Sequence, residues 1–212
     1  MAEDGRMPPP AIFGAGGHAK VVLESLLRAY PEAEPVLLDD AADAPGRRLL
    51  GHAVSGGRDW LLAHRPGARV IPAIGDNRAR AELLAWLEEN GFMPAALVDP
   101  TAVVSPSARV GAGAYVAPNA TVNAEAEIGA GAIVNTAASV DHDAVLGRTV
   151  HIGPGARLCG GVVVGARTLI GTGACVIPGV RIGADAVVGA GSVVVRDLAD
   201  GARVAGNPAR PI

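Results

Sequence analysis

Residues 146–175 read LGRTVH IGPGAR LCGGVV VGARTL IGTGAC, one pattern written five times with a period of six. Each hexad opens on a branched aliphatic: Leu146, Ile152, Leu158, Val164 and Ile170. Followed in both directions, the rule holds at every sixth position from Val98 to Val194, seventeen in succession without an insertion. Four residues after each aliphatic stands a small or β-branched residue, from Ala102 through Ala126, Ala138 and Ala156 to Ser192. Glycine directly follows the aliphatic at Gly111, Gly129, Gly147, Gly153, Gly165, Gly171, Gly183 and Gly189.

A period of six matches neither the 3.6 of an α-helix nor a plain array of hairpins. It fits one short strand plus one corner, wound into stacked coils. The aliphatic is expected to point inward, the small residue to fit the crowded corner, and glycine to supply the unusual dihedrals there. One coil cannot bury its own edges, so stability comes from stacking many. Each inward aliphatic then contributes roughly 1.5–3 kcal/mol before entropy is charged, and a Val→Asp change inside is severely destabilising.

Composition agrees with such a core. Of 212 residues, 50% are hydrophobic and 18% charged, which excludes global disorder. Aromatics make up only 3%, while glycine numbers 29, so the interior must be built from small and β-branched side chains. The net charge of −3 gives no basic excess to neutralise a phosphate backbone, and nucleic-acid binding is not expected. Residues 1–10 (MAEDGRMPPP) lack the basic start and apolar run of a signal peptide and are expected to be disordered. No run of 18 apolar residues is present, so no membrane helix is expected and the location is read as cytoplasmic. Cys159 and Cys175 show neither metal spacing nor a disulfide framework and are read as packing residues in a reducing compartment.

Residues 11–94 read as alternating strand and helix, hence a small parallel sheet. Ala11-Ile12-Phe13 is a strand and Gly14-Ala15-Gly16-Gly17 a glycine turn. His18 to Tyr30 is an amphipathic helix. Val36-Leu37-Leu38 is a second strand, ending at Asp39-Asp40. Arg58 to Arg65 is a short helix and residues 70–74 a third strand, followed by Gly75-Asp76-Asn77. Arg78 to Asn90 is a second clear amphipathic helix. The turn fits G-x-G-x-x-A at Gly14, Gly16 and Ala19. Its N–H groups and the helix dipole could hold a phosphate, or the glycines could simply pack strand against helix. The domain is about half the length of a full dinucleotide fold.

The hexads over 95–206 resemble the hexapeptide-repeat acyltransferases. That resemblance implies a left-handed parallel β-helix of triangular section, although strand–crossover rules alone favour right-handed connections. Three hexads per coil give between five and six coils. It also implies a homotrimer with sites in the clefts between prisms; outward apolar residues such as Val163, Val187 and Val195 would suit one. The ending Val204 to Arg210, which includes the start of a tail over 207–212, resembles the family's coenzyme A-proximal end.

The order Gly-Ala-Gly-Gly-His, Leu-Asp-Asp, Ala-Ile-Gly-Asp-Asn, then hexads, resembles one branch more closely. These are the N-acetyltransferases of nucleotide-linked 4-amino-4,6-dideoxy sugars (bacillosamine or perosamine type) and the related sialic acid O-acetyltransferases. The resemblance covers nearly the whole chain after residue 10. It implies that Gly16, Gly17 and His18 lie beside the nucleotide-sugar phosphates, that Asp39 and Asp40 take the nucleoside end, and that Gly75 and Asn77 form the rim.

The stretch Asn135-Thr136-Ala137-Ala138-Ser139-Val140-Asp141-His142-Asp143 resembles the branch's active-site segment. His142 would be the general base, since an imidazole titrates near neutrality. Asp143, shorter than the Glu of some relatives, would support the imidazolium, and Asn135 would orient the loop. His151 matches a position that contacts acetyl-coenzyme A, and a structural corner histidine is the other reading. Backbone near Thr172 and Ala190 would hold the pantetheine arm. His52 and His64 read as surface residues. Relatives that hold zinc use three histidines, and the third is missing, so no metal is expected.

The sequence therefore points to an acetyl-coenzyme A-dependent N-acetyltransferase of a nucleotide-activated amino sugar, by direct attack. The alternatives are O-acetyl transfer to sialic acid or another glycan, and a non-enzymatic solenoid that binds such a ligand.

Overall fold

The computed structural model describes residues 10–212, so the expected disorder over 1–10 falls, apart from Pro10, outside the described residues. The α/β part comprises β1 (Ala11–Phe13), α1 (Gly17–Ala29), β2 (Leu37–Leu38), β3 (Arg48–Leu49), β4 (His52–Gly56), α2 (Arg58–His64), β5 (Arg69–Pro72), α3 (Asn77–Glu89) and β6 (Met93–Pro94). The sheet order is β3-β4-β2-β1-β5-β6, parallel throughout except for β3 against β4. In α1 the spacing of Ala19, Val22, Leu23 and Leu26 puts one stripe fully inside. Asp76 caps α3, accepting from the backbone N–H groups of Arg78 (3.0 Å) and Ala79 (2.9 Å). The pair β3–β4 is not evident from the sequence, and His52, read as a surface residue, is half-buried and opens β4.

From Leu97 the chain winds through two-residue strands that form three parallel sheets, the faces of a left-handed prism. Face 1 begins with Leu97–Val98, face 2 with Val103–Val104 and face 3 with Arg109–Val110. Partners lie eighteen residues apart, as in Ile133 with His151, Val140 with Leu158 and Leu146 with Val164. In each strand the second residue points inward. The fourteen inward aliphatics from Val116 to Val194 are all buried, and so are the small residues four positions later from Ala114 to Ser192. Val98, Val104 and Val110 differ from expectation. They line the terminal coil, which has a neighbour on one side only, and Val98 is 37% exposed.

The structure also corrects the role of the glycines. Those directly after the aliphatic do not have positive φ. They are glycine because the next coil passes too close: a Cβ on Gly153 would lie 2.7 Å from the Ile170 carbonyl oxygen, and one on Gly171 2.6 Å from the Ala190 nitrogen. The left-handed position is two residues further on. Every sixth residue from Gly113 to Gly191 has φ between 53° and 67°, apart from Gly179 at 73°. Half are glycines; the others are Asn119, Glu125, Ala137, Asp143, Thr149, Arg167 and Asp185.

Helix α1 covers the first three outward residues of face 1, Leu97, Tyr115 and Ile133, all under 5% exposed. Ser25 of α1 bonds Asp99 (2.6 Å) and the Tyr115 hydroxyl (2.7 Å), and Arg28 bonds Asp99 at 2.7 Å. At the far end, Arg203–Ala205 extends face 1 and Arg210–Pro211 folds back antiparallel on it, with Val204 and Ala209 buried in the solenoid core. The outward valines do not make one patch: Val187 is on face 1, Val163 on face 3, and Val195 on the edge after face 2. Cys175 is exposed, an outward residue of face 2, so the packing reading fails for it; Cys159 is half-buried.

Candidate active site

The glycine turn is built by sterics. Gly14 has φ +121°, and a Cβ there would lie 2.6 Å from the Ala73 carbonyl oxygen. Gly16 and Gly17, at the start of α1, meet nothing within 4 Å. They open into a cavity of about 470 Å³ lined also by His18, Asp39, Asp40 and Gly75. Asp39 accepts from the Ala15 N–H (2.7 Å) and so braces the turn, while Asp40 accepts from the Arg58 N–H (2.9 Å) and pairs with its guanidinium (3.0 Å). Both carboxylates thus hold the backbone as well as line the cavity.

A second cavity, of about 600 Å³, begins at Gly75 and runs down face 1, where His151, Leu169, Val187 and Arg203 follow one another in register beside Arg167 and Asp185. The seam between the two cavities contains two histidines. His18 lies in the first turn of α1, its ring edge-on to Tyr115 at 5.5 Å and 6.3 Å from the ring of His151. Burial, then the nearness of His151 and Arg80, push its pKa down to about 4, and its Nε2 is buried without a hydrogen-bond partner. His151 is likewise pushed down to about 4, by burial and Arg80. Asn135 Oδ1 accepts the Thr136 N–H (2.8 Å), which leaves its amide nitrogen to donate to His151 Nε2 (3.0 Å). A ring that accepts there is neutral.

Arg80 is fully buried and donates to the carbonyls of Ile74 (2.8 Å), Gly131 (2.7 Å) and Thr149 (2.9 Å) and to Asn77 Oδ1 (2.8 Å). Asn77 in turn donates to the Arg167 carbonyl at 2.9 Å. Asn77, expected on the rim, lines the second cavity and also works as a strap between the domains. Sequence reading missed Arg80, although the signal was present: it holds the first place of an i, i+3, i+4, i+7 stripe completed by Leu83, Leu84 and Leu87.

His142 lies elsewhere, on the edge between faces 2 and 3. It is 61% exposed, with Nδ1 2.7 Å from Asp143 Oδ2. The bond to Asp143 raises its pKa, and the charge of Asp141 adds to this. Asp141 is itself held by Asn123 at 2.8 Å. With Nδ1–H donated to a carboxylate, Nε2 keeps its lone pair free for a proton. Asn135 does not reach this pair, contrary to the role expected of it, because it sits on the edge between faces 1 and 2 and turns to His151. Thr172 and Ala190 are stacked eighteen residues apart on that same edge, both exposed. Among the described residues no cluster of histidine, cysteine or acid could hold a metal ion, and no helix is long and apolar enough to cross a membrane.

Residues 11–87 match the family model described as PglD N-terminal domain. No curated protein matches the chain. Among solved structures, the chain is similar to a histidine-substituted mutant of perosamine N-acetyltransferase from Caulobacter crescentus in complex with CoA and GDP-perosamine. Identity is 47% over 98% of both chains, with a TM-score of 0.90. It is similar to the acetyltransferase domain of PglB from Neisseria gonorrhoeae, at 41% identity over 95% of this chain and 98% of that one, TM-score 0.88; a second structure of that domain contains acetyl coenzyme A. WeeI from Acinetobacter baumannii is 26% identical over 95% and 98%, TM-score 0.80.

Proposed function

The chain belongs to the hexapeptide-repeat acetyltransferases of nucleotide sugars, and from that premise we propose how its own residues carry the reaction. The acetyl group of acetyl-coenzyme A passes to an amino group of a nucleotide-linked sugar. We propose as acceptor the 4-amino group of a 4,6-dideoxy hexose on a nucleoside diphosphate, in line with the GDP-perosamine bound by the 47% identical relative.

The observation that carries the mechanism is the exposed His142–Asp143 pair with Nε2 unengaged. The sugar amine attacks the thioester carbonyl carbon, and the C–N bond forms. His142 Nε2 takes the proton that the nitrogen must shed. The C–S bond then breaks, and the departing thiolate takes that proton back from the imidazolium, so the base is regenerated. Asp143 keeps the tautomer and supports the transient charge. The diphosphate is taken by the N–H groups at Gly16 and Gly17. Asp39 and Asp40 face the nucleoside hydroxyls, and His18, His151 and Gly75 line the way to the sugar. Thr172 and Ala190 offer backbone to the pantetheine arm.

These pieces lie apart in one chain, the glycine turn in the α/β domain and the seam where that domain meets face 1, with His142 on the edge between faces 2 and 3. A homotrimer, in which one chain's edge meets the next chain's seam, unites them. Mixing two inactive variants, His142→Ala and a Gly16→Asp that fills the turn, should restore part of the activity through hybrid sites. No recovery would reject the shared site.

His142→Ala should lower kcat by roughly 10²–10⁴ with folding intact, and unchanged turnover would reject the base. The product separates the acceptors: an amide survives mild hydroxylamine, whereas an O-acetyl ester is cleaved.

A further inference from the structure

We infer that Gly160 is a positioning residue for His142: its lack of a side chain leaves the berth in which the imidazole lies against the next coil. This rests on His142 being the base. Gly160 follows His142 by eighteen residues and so stands directly over it in the stack. A Cβ built on Gly160 would lie 2.5 Å from His142 Nε2 and 3.0 Å from Nδ1, with Cε1 closer still; its three nearest neighbours are all atoms of that ring. The backbone there does not need glycine, since φ at 160 is not positive. The glycines that follow the aliphatics are different, because their missing Cβ makes room for the backbone of the next coil.

The repeat supports the distinction. Gly160 is the second residue after its aliphatic, Leu158. In the other sixteen hexads that place is filled by Pro, Ala, Thr, Arg or His, as in Ala124, Pro154, Pro178 and Ala190. The solenoid therefore accepts a side chain at this corner everywhere except over the imidazole. Asp143, in the left-handed conformation at φ 59°, holds Nδ1 from one side. The bare Cα of Gly160 supplies the surface on the other. Any β-carbon there pushes the ring outward, off its bond to Asp143 and away from the line between amine and thioester.

The test is a cycle of wild type, Gly160→Ala, His142→Ala and the double variant, scored by kcat and each KM, with the His142 imidazole followed by NMR titration. Gly160→Ala should keep the wild-type melting temperature and lose roughly 10- to 10²-fold in kcat with little change in either KM. Its His142 pKa should fall back toward the ordinary imidazole value. In the His142→Ala background the same change should cost nothing further. A Gly160→Ala enzyme with wild-type kcat and an unmoved titration overturns the inference, and so does an undiminished loss in the His142→Ala background. If His142→Ala is inactive while Gly160→Ala is not, the base stands and only the berth is lost. If His142→Ala turns over normally, the base is lost and the berth with it. Should Gly160→Ala fail to fold, the double variant, which lacks the ring, must recover; if it stays unfolded, the clash lies elsewhere and the inference falls.

Discussion

His142 and His151 are nine residues apart in the chain, yet the open edge and the buried seam treat the same side chain in opposite ways. At the edge, a carboxylate on Nδ1 raises the pKa and water reaches the ring. In the seam, burial dominates, Asn135 donates to the ring, and the pKa falls to about 4. The edge thus presents a group able to take a proton near neutrality, and the seam presents neutral rings of fixed orientation. Under the mechanism proposed above, proton transfer and substrate shape would fall to separate histidines, with burial deciding which is which.

The contrast breaks most sharply in stability. Arg80→Ala in the seam strands several carbonyls and opens a hole, and it should lower unfolding free energy by about 3 kcal/mol or more in urea titrations. His142→Ala at the edge should leave that curve where it was. If the two variants unfold alike, the division is wrong. Asp99→Ala, which removes the partner of Ser25 and Arg28, should cost about 2 kcal/mol by the same measurement.

Acid sharpens the comparison. His18 and His151 have folded pKa values near 4 against an ordinary 6.5, so the unfolded chain binds more protons between those values. Stability should be full above about pH 6.5 and decline as pH falls toward 4, and a His151→Gln variant should flatten that slope. His142 has the opposite sign: its bond to Asp143 favours the protonated form, a contribution present below pH 6.5 and lost as pH rises through the raised pKa. On so exposed a ring the rate is the better readout. The ascending limb of kcat/KM should lie above the ordinary imidazole range, and Asp143→Asn should move it to lower pH while slowing the reaction. A limb that stays in place would detach Asp143 from the base. The smallest effect belongs to the outward face: Cys175 should react with a thiol reagent faster than Cys159, and Cys175→Ser should change stability by no more than about 0.5 kcal/mol.

The prism was legible because a single six-residue rule governs ninety-odd residues, and each hexad meets the same surroundings. Where surroundings change, the rule misleads. Val98 obeys the pattern and still faces an open end, and the glycines after the aliphatics proved to be about clearance, with the left-handed position two residues later. The edge could be read because His142 and Asp143 are adjacent in the chain. The seam could not: Asn135, His151, Arg80 and His18 come from four distant segments, and only the fold reveals that Asn135 serves His151. His18, Asn135 and His151 stood out one by one through their motifs, whereas Arg80 left only a fainter trace, a cation in an otherwise apolar helical stripe.

Leu97, Tyr115 and Ile133 follow one another up face 1 and are buried in one cluster with α1 and other residues of the α/β domain. A chain cut before residue 95 would present three large apolar side chains in a row on an exposed parallel sheet, an adhesive strip inviting self-association. The repeat is periodic, but it is not modular: its first coils borrow their outer surface from the preceding domain, so swapping that domain for another means carrying the matching helix along with it.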